Sequence, residues 1–355
     1  MKGVERKESE RPLTIGDLNF DPPQLPASRL QEIAAEYYGV RGSLQMLEGE
    51  RDQNCRITSS DGQRYVLKIS SAGEDPAVID FQVQALLHIE HTDPGIPVPR
   101  MVRGTDGGLA YPLVIDGRRH QLRLLTYLPG MLYHHGAAPT PGGLYHVGKF
   151  LARLNLALAG FSHPAAGHFM PWDVTNGLLF RPQLRALLPP PLQTDLAPVL
   201  KRLKNEVYPR LPKLRSQVIH HDGHGANLLR SSSDSDEVVG IIDFGDMIYG
   251  PLICDLAVSL ADFMSAACDA EALAAAMCRG FHALVPLQAR ETDLLLDLVI
   301  ARLVLTLQLF EFRRRHMRQP PPFVSSEQAD IIASLKMLIG LDRRAFAHCM
   351  RENLR

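Results

Sequence analysis

Cysteine is scarce in this chain: Cys55, Cys254, Cys268, Cys278 and Cys349 are the only five among 355 residues, and no two form a CxxC pair. An odd, scattered set excludes a disulfide framework and a zinc or redox site built on paired cysteines, and it fits a reducing, cytoplasmic setting. Excess charge of one sign is also lacking, since 38 Lys and Arg stand against 39 Asp and Glu, a net charge of −1. With no overall field to hold a polyanion, nucleic acid is excluded as the principal ligand. The longest apolar run, Leu294 to Phe310, is broken by Asp297, Arg302 and Gln308, and Met1 to Pro12 has no apolar stretch. Neither a membrane span nor a signal peptide is expected. What is present is an ordinary globular composition, 45% apolar and 22% charged, with a length suited to two lobes or domains.

Residues 1–24, charged and proline-containing, are expected as a mobile tail, residues 25–127 as a small N-terminal lobe and residues 128–355 as a larger C-terminal lobe. Ser28-x-x-Gln31 has the form of a capping box and opens an amphipathic helix to about Tyr38. The period then turns alternating. Leu44 to Leu47, Asn54 to Thr58 and Arg64 to Ile69 read as strands, the last two joined by Asp61-Gly62. Pro76 introduces a helix whose apolar positions Val78, Phe81, Ala85, Leu86 and Ile89 recur every three to four residues, until Pro94 to Pro99 end it. Leu109 to Ile115 and His120 to Leu125 flank Asp116-Gly117 and complete a five-stranded antiparallel sheet with one inserted helix.

Pro129-Gly130 marks the expected boundary between lobes. Beyond it helices are predicted over Leu144 to Leu158, Leu196 to Tyr208, Leu252 to Met264, Ala270 to Leu284 and Glu291 to Phe312, with two more starting at Ser325 and Asp342. Only 217–243 looks β-like in this half, and the clusters Pro189 to Pro191 and Pro320 to Pro322 mark loops. The fold class is α+β.

Chemistry concentrates in Val218-Ile219-His220-His221-Asp222-Gly223-His224-Gly225-Ala226-Asn227 and then Gly240-Ile241-Ile242-Asp243-Phe244-Gly245-Asp246. Two short apolar strands each end in an aspartate. An Asp followed five residues later by Asn, with a second Asp after the next strand, supplies one carboxylate for a substrate hydroxyl and two oxygen donors for Mg²⁺. Phosphoryl transfer needs that division of labour, because the protein mainly positions groups and neutralises phosphate charge. Upstream, alternation puts Val66 and Lys68 on one face of the Arg64 to Ile69 strand.

On these residues the chain resembles the aminoglycoside phosphotransferase-like kinases, which share the protein kinase fold. His220, Asp222, Asn227 and Asp243 fit their HxDxxxxN signature and the DFG-like segment that follows it. Within that family the resemblance is nearest to the hydroxylysine kinases and to phosphotransferase domains fused to class III aminotransferases. It extends over Asp52-Gln53-Asn54, YVLKIS at 65–70, RLLTYLPG at 123–130, GIIDFGDMIYG at 240–250 and Ala301-Arg302. The resemblance implies a bilobal kinase using ATP or GTP with Mg²⁺. The acceptor it implies is a small amino alcohol or hydroxy amino acid, hydroxylysine first, with homoserine, ethanolamine-type compounds and aminoglycosides open beside it.

Residue by residue, it implies Asp222 as catalytic base, Asn227 and Asp243 as metal ligands, and Asp246 as a further acid near metal or substrate. Lys68 would contact the phosphates and Val66 would roof the base. Gly49 to Asn54 would form the phosphate-covering loop, and Leu125, Thr126 and Tyr127 the hinge. His220 and Asp255 would brace the catalytic loop.

Departures from the family pattern leave alternatives open. No helix Glu is available to pair Lys68, and Asp80 is the closest carboxylate on the inserted helix. The loop reads His-His-Asp-Gly-His-Gly, whose extra glycine permits more conformations and leaves a catalytically silent nucleotide-binding protein as a second reading. His220, His221, Asp222 and His224 as transition-metal ligands of a hydrolase are a third. Arg302 reads either as a buried ion pair or as the group that binds a substrate carboxylate, and Asp173 either as a loop acid or as the partner of a substrate ammonium. A protein substrate is not expected, because the helix after Asp243 leaves no room for a long activation segment.

Overall fold

In the computed structural model, which describes residues 18, 22–136, 138–176, 190–264, 269–316 and 324–354, with backbone alone at 316 and 324–327, helix α1 spans Ala27–Tyr38. Most of 1–24, along with Pro189, the Pro320 to Pro322 cluster and Cys268, lies outside the described residues. Contacts divide the chain into two units, one of Asn19–Pro129 with His163–Ala165, the other of the remainder.

Ser28 does not cap α1. Pro26 takes the N-cap position, its carbonyl accepts from the Arg29 and Leu30 N–H groups at 3.0 and 3.1 Å, and Gln31 donates to the Gly42 carbonyl. A proline two positions earlier starts the helix and leaves Ser28 already inside it. Gly39, at φ 66°, ends the helix in the left-handed conformation that glycine tolerates best.

The first unit then forms the expected five-stranded antiparallel sheet: β1 Gly42–Leu47, β2 Asp52–Ser59, β3 Arg64–Ser70, β4 Ala110–Ile115 and β5 Arg118–Thr126, in the order β1-β2-β3-β5-β4. Asp116 and Gly117 both take positive φ, 49° and 74°, as a two-residue hairpin turn requires. Strand alternation sends Cys55, Ile57, Leu67, Ile69, Leu122 and Leu124 to one face, where Leu30, Ile33, Ala34 and Tyr38 of α1 cover them. Each such aliphatic side chain contributes about 1.5–3 kcal/mol by leaving water. The opposite face is left to Asp52, Asn54, Val66, Lys68, Arg123 and Leu125, which lie side by side through the pairs Asn54↔Lys68, Lys68↔Arg123 and Val66↔Leu125. Helix α2, Pro76–Thr92, starts with Pro76 at its first position and Asp75 accepting from the Ala77 N–H.

In the second unit α3 spans Pro141–Ala157, α4 Pro190–Arg202, α5 Ile253–Phe263, α6 Ala270–His282, α7 Ala289–His316, α8 Val324–Gly340 and α9 Arg343–Glu352. Helices α3 and α6 touch backbone to backbone: a Cβ on Gly280 would lie 1.9 Å from the Tyr145 carbonyl oxygen, and one on Gly148 2.0 Å from that of Met277. The helix expected to run to Tyr208 instead widens after Arg202 into a π turn, Leu203–Val207, and then tightens into a 3-10 segment, Tyr208–Lys213. Pro209 and Pro212 supply no N–H donor there, so a regular helix cannot continue.

The β-structure of this unit extends beyond 217–243. β6 Met131–Leu132, β8 Leu228–Arg230 and β9 Val238–Ile241 form one small sheet, and β7 Ser216–Ile219 pairs with β10 Ile248–Pro251 in another. β6 and β10 were missed because two to four residues are too few to display an alternating period. No described helix is long and apolar enough to cross a membrane.

Candidate active site

Lys68 on β3 meets Asp52 on β2, with Nζ 3.1 Å from Oδ2, and the same oxygen accepts from Arg123 Nη2 at 3.1 Å. Gln82 of α2 completes the cluster by accepting from Arg123. Asp80 does not serve Lys68: it receives His163 Nε2 at 3.1 Å and Gln84 Nε2 at 3.2 Å. It sits on the exposed side of α2, whereas Asp52 shares the sheet face of the lysine and needs no reach. That shared face was the signal for Asp52, since residues 52 and 54 alternate in step with the strand opposite.

Gly49 packs against Asn54, and a Cβ there would come within 2.2 Å of Asn54 Nδ2 and 2.5 Å of the Asp52 carbonyl oxygen. Asn54 Nδ2 donates to the Glu48 carbonyl at 3.3 Å, so the loop is tied back onto β2. At the other edge of β3, the Thr126 hydroxyl accepts from the Arg100 N–H at 2.9 Å and the Tyr127 N–H donates to the Arg64 carbonyl at 3.0 Å. The Tyr127 ring lies under the guanidinium groups of Arg64 and Arg56, at 4.8 and 5.4 Å. Leu125 stays on the open face beside Val66.

In the second unit the loop after β7 is held from several sides. His221 adopts a left-handed backbone, φ 63°, and its N–H donates to Asp255 Oδ1 at 2.6 Å, while Asn155 Nδ2 donates to Asp255 Oδ2 at 2.7 Å. His220 is fully buried, accepts from the Asp222 N–H on Nδ1 at 3.3 Å, and meets the Phe244 ring edge-on at 4.8 Å. Asn227 Nδ2 donates both to the Asp222 carbonyl at 3.0 Å and to its Oδ2 at 2.7 Å. His224 Nε2 lies 3.3 Å from the same Oδ2, and Arg302 Nη2 of α7 3.3 Å from Oδ1.

The two aspartate-bearing strands are not partners, since β7 pairs with β10 and β9 with β8. Asn227 and Asp243 instead come together because they flank one end of the β8–β9 ladder, closed by the Ile242 N–H donating to the Asn227 carbonyl at 2.9 Å. Asp243 is exposed, at φ 61°, with Oδ1 accepting from the Gly245 N–H, and Asp246 is buried one turn on. An amide oxygen and a carboxylate are hard donors, a set that fits Mg²⁺ better than a thiolate- or imidazole-seeking metal. The loop histidines do not converge, because His220 faces Phe244, His221 lies 3.9 Å from Asp173 and His224 faces Asp222. Among the described residues no three His, Cys, Asp or Glu side chains are placed to hold a metal ion, which leaves the hydrolase reading without a site.

Residues 44–291 match the model of the phosphotransferase enzyme family. The chain belongs to that family. It is 28% identical over 335 residues to the hydroxylysine kinase of Danio rerio, covering 90% of this chain and 92% of the relative. Solved structures share the fold, two kinases among them. A microcompartment-associated aminopropanol kinase aligns with a TM-score of 0.68 at 20% identity, over 93% of this chain and 99% of its own. An amicoumacin kinase in complex with AMP-PNP and Ca²⁺ aligns with a TM-score of 0.68 at 15% identity, over 90% and 97%. The α+β, protein-kinase-like fold expected from the sequence is the fold of this phosphotransferase.

Charge in the phosphotransferase loop alternates from α7 outward. Burial alone would raise the Asp222 carboxyl, but the neighbouring His224, Arg302 and His220 outweigh it and hold it well below the usual carboxylate range. Burial likewise works against a charged His224, yet Asp222 and then Asp262 push it up to about 9, so it is an imidazolium at neutral pH. Asp262 Oδ2 also accepts from the Gly225 N–H and from His134 Nε2, each at 2.8 Å. His220 behaves oppositely, because burial takes it down to about 4 and keeps it neutral.

For two residues the structure shows the contacts of one of the two alternatives left open. Asp173 is buried, accepts from the Thr175 N–H at 2.9 Å and lies 3.9 Å from His221 Nε2, the contacts of a loop acid. Arg302 is engaged with Asp222 and with the Trp172 carbonyl, where Nη1 donates at 2.6 Å. His224, Asp262, Asp52 and Arg123 are the residues sequence reasoning missed in these roles. For His224 the cue was its place two residues after Asp222; for Asp262 there was none, because its loop contact spans 37 residues.

Proposed function

We propose that this phosphotransferase is a small-molecule kinase that moves the γ-phosphate of ATP or GTP to the hydroxyl of an amine-bearing acceptor, with hydroxylysine as the first candidate. The observation that carries the chemistry is the double tie from Asn227 to Asp222, through backbone carbonyl and carboxylate, with Asp243 at the same ladder end. The acceptor assignment draws on the hydroxylysine kinase similarity, which runs nearly the full length of both chains. Asp222 would orient the acceptor hydroxyl and take its proton, and Asn227 and Asp243 would hold Mg²⁺. Bound there, the metal would neutralise phosphate charge.

Lys68, steadied by Asp52, would contact the phosphates, with Gly49 and Asn54 shaping the loop over them. Val66, Leu125, Thr126 and Tyr127 would line the base. The first unit would thus bind nucleotide and the second bind acceptor and carry out transfer. Asp246 and Arg302 would serve acceptor recognition. His220, Asp255 and, as a loop acid, Asp173 would act as bracing.

A silent nucleotide-binding protein is the second reading, favoured by the fact that both oxygens of Asp222 already have partners. The test is a panel of amino alcohols and hydroxy amino acids, hydroxylysine and homoserine included, with Mg²⁺ and either ATP or GTP, read as nucleoside diphosphate release. Acceptor-dependent release supports the kinase. Nucleotide binding without release on any acceptor would establish the silent form.

A further inference from the structure

Asp222 is served unequally on its two sides. Asn227 and His224, both from its own loop, reach Oδ2 at 2.7 and 3.3 Å. Oδ1 is left to α7, where Arg302 Nη2 approaches to 3.3 Å. Arg302 is itself pinned: its Nη1 donates to the Trp172 carbonyl at 2.6 Å and its guanidinium lies 5.3 Å from the Trp172 ring centroid. That indole is fixed in turn, edge-on to Phe310 at 6.1 Å and beneath a second, buried guanidinium, Arg313, at 5.2 Å.

A guanidinium carries five N–H donors in a planar fork matched to carboxylates. Arg302 spends two of them in its bonds to Trp172 and Asp222. A long basic side chain is costly to place in an apolar helix, and pairing it with a carboxylate that must stay available for chemistry gains little. The arrangement becomes economical if a second carboxylate arrives with the substrate.

We propose, building on the kinase reading above, that Arg302 reads the acceptor: its spare N–H edge takes the carboxylate of a hydroxy amino acid, and by doing so releases Asp222. The substrate class is then one bearing both hydroxyl and carboxylate, not an amino alcohol alone. A docked carboxylate shares the Arg302 charge between two anions, loosens the contact to Oδ1 and frees that oxygen for the acceptor hydroxyl. In the transfer step the hydroxyl O–H bond breaks and its proton passes to Asp222. The oxygen forms a bond to the γ-phosphorus, and the bond to the nucleoside diphosphate breaks with its electron pair leaving on the diphosphate. Until a carboxylate arrives, Asp222 stays clamped, which also withholds the base from water.

The test compares hydroxylysine with its decarboxylated diamino alcohol on the wild type, Arg302→Met and Arg302→Lys. It reads kcat and KM by diphosphate release, and binding by calorimetry with a non-hydrolysable triphosphate analogue present. The wild type is expected to favour the acid by about 10- to 100-fold in kcat/KM, the scale of one hydrogen-bonded charge pair. Arg302→Met is expected to lose the preference and use the two compounds alike, with affinity for the acid reduced to that for the diamino alcohol, and to hydrolyse nucleotide faster without acceptor. Arg302→Lys should recover part of the preference, as a point charge lacking the fork.

A wild type that uses both compounds equally, or an Arg302→Met enzyme that keeps the preference, overturns the proposal. The first comparison needs no variant, so misfolding cannot mask it. If the wild type turns over neither compound, the kinase reading is decided by the wider acceptor panel, and calorimetry still decides the carboxylate site. Acid-selective binding that Arg302→Met abolishes upholds the site, and equal binding of both compounds removes it.

Discussion

Asp255→Ala opposes two physical terms at one buried carboxylate and lets pH tell which is larger. In the wild type the His221 N–H and the Asn155 amide donate to it at 2.6 and 2.7 Å, bonds that favour the ionised form. Burial favours the neutral form and prevails, raising the carboxyl from 3.8 to about 6. The difference is ~3 kcal/mol of ionisation cost in the folded state. Because the folded value lies above the unfolded one, this contribution to stability is complete below about pH 4 and is lost as the pH rises through about 6.

Removing the side chain orphans two buried donors at ~1–3 kcal/mol each. The variant should therefore be less stable than wild type by roughly 4 kcal/mol near pH 4, and by about 1 kcal/mol near pH 7, where the wild type carries the ionisation cost. Urea denaturation of both proteins across that range measures the gap. A gap that widens toward neutral pH would refute the reasoning, since it would mean that the donors outweigh burial. Turnover should fall at every pH, because His221 loses the partner that holds its left-handed backbone and Asp222 follows it in the chain.

Other substitutions test the remaining assignments. Asp222→Asn is expected to lower turnover by about 10²–10⁴-fold with nucleotide affinity nearly kept, measured by coupled assay and calorimetry; unchanged turnover would take the base role from Asp222. Asp243→Ala should weaken magnesium-dependent nucleotide binding, and a normal magnesium titration in that variant would reject the ligand assignment. Gly280→Ala should cost about 1–3 kcal/mol by prising α6 from α3, seen as a lower Tm with the sheet-bearing unit unaffected. A Tm equal to wild type would show that the 1.9 Å approach to Tyr145 relaxes freely.

Much of the fold was legible in the residues because local patterns carry it. Asp116-Gly117 and Asp61-Gly62 announce their turns, strand alternation separates Leu67 and Ile69 from Val66 and Lys68, and the spacing from Asp222 to Asn227 sets out a loop in a single stretch of chain. Those features depend on neighbours in sequence, where propensity, turn chemistry and period act directly. Where a cue competed with a closer one it failed: Pro26 displaced Ser28 as the start of α1, and Pro209 and Pro212 ended a helix that the apolar period would have continued.

The sequence by itself therefore determined the sheet, the order of the helices and the identity of the loop that bears Asp222. Only the tertiary structure decided who stands beside whom: Asp52 with Lys68 instead of Asp80, Arg302 on Asp222 across 80 residues, Asp262 behind His224, and β10 as the partner of β7. The reason is physical. Hydrophobic period and turn chemistry act within a few residues, whereas a charged side chain finds its counterion wherever packing brings one within reach, and no local pattern encodes that distance.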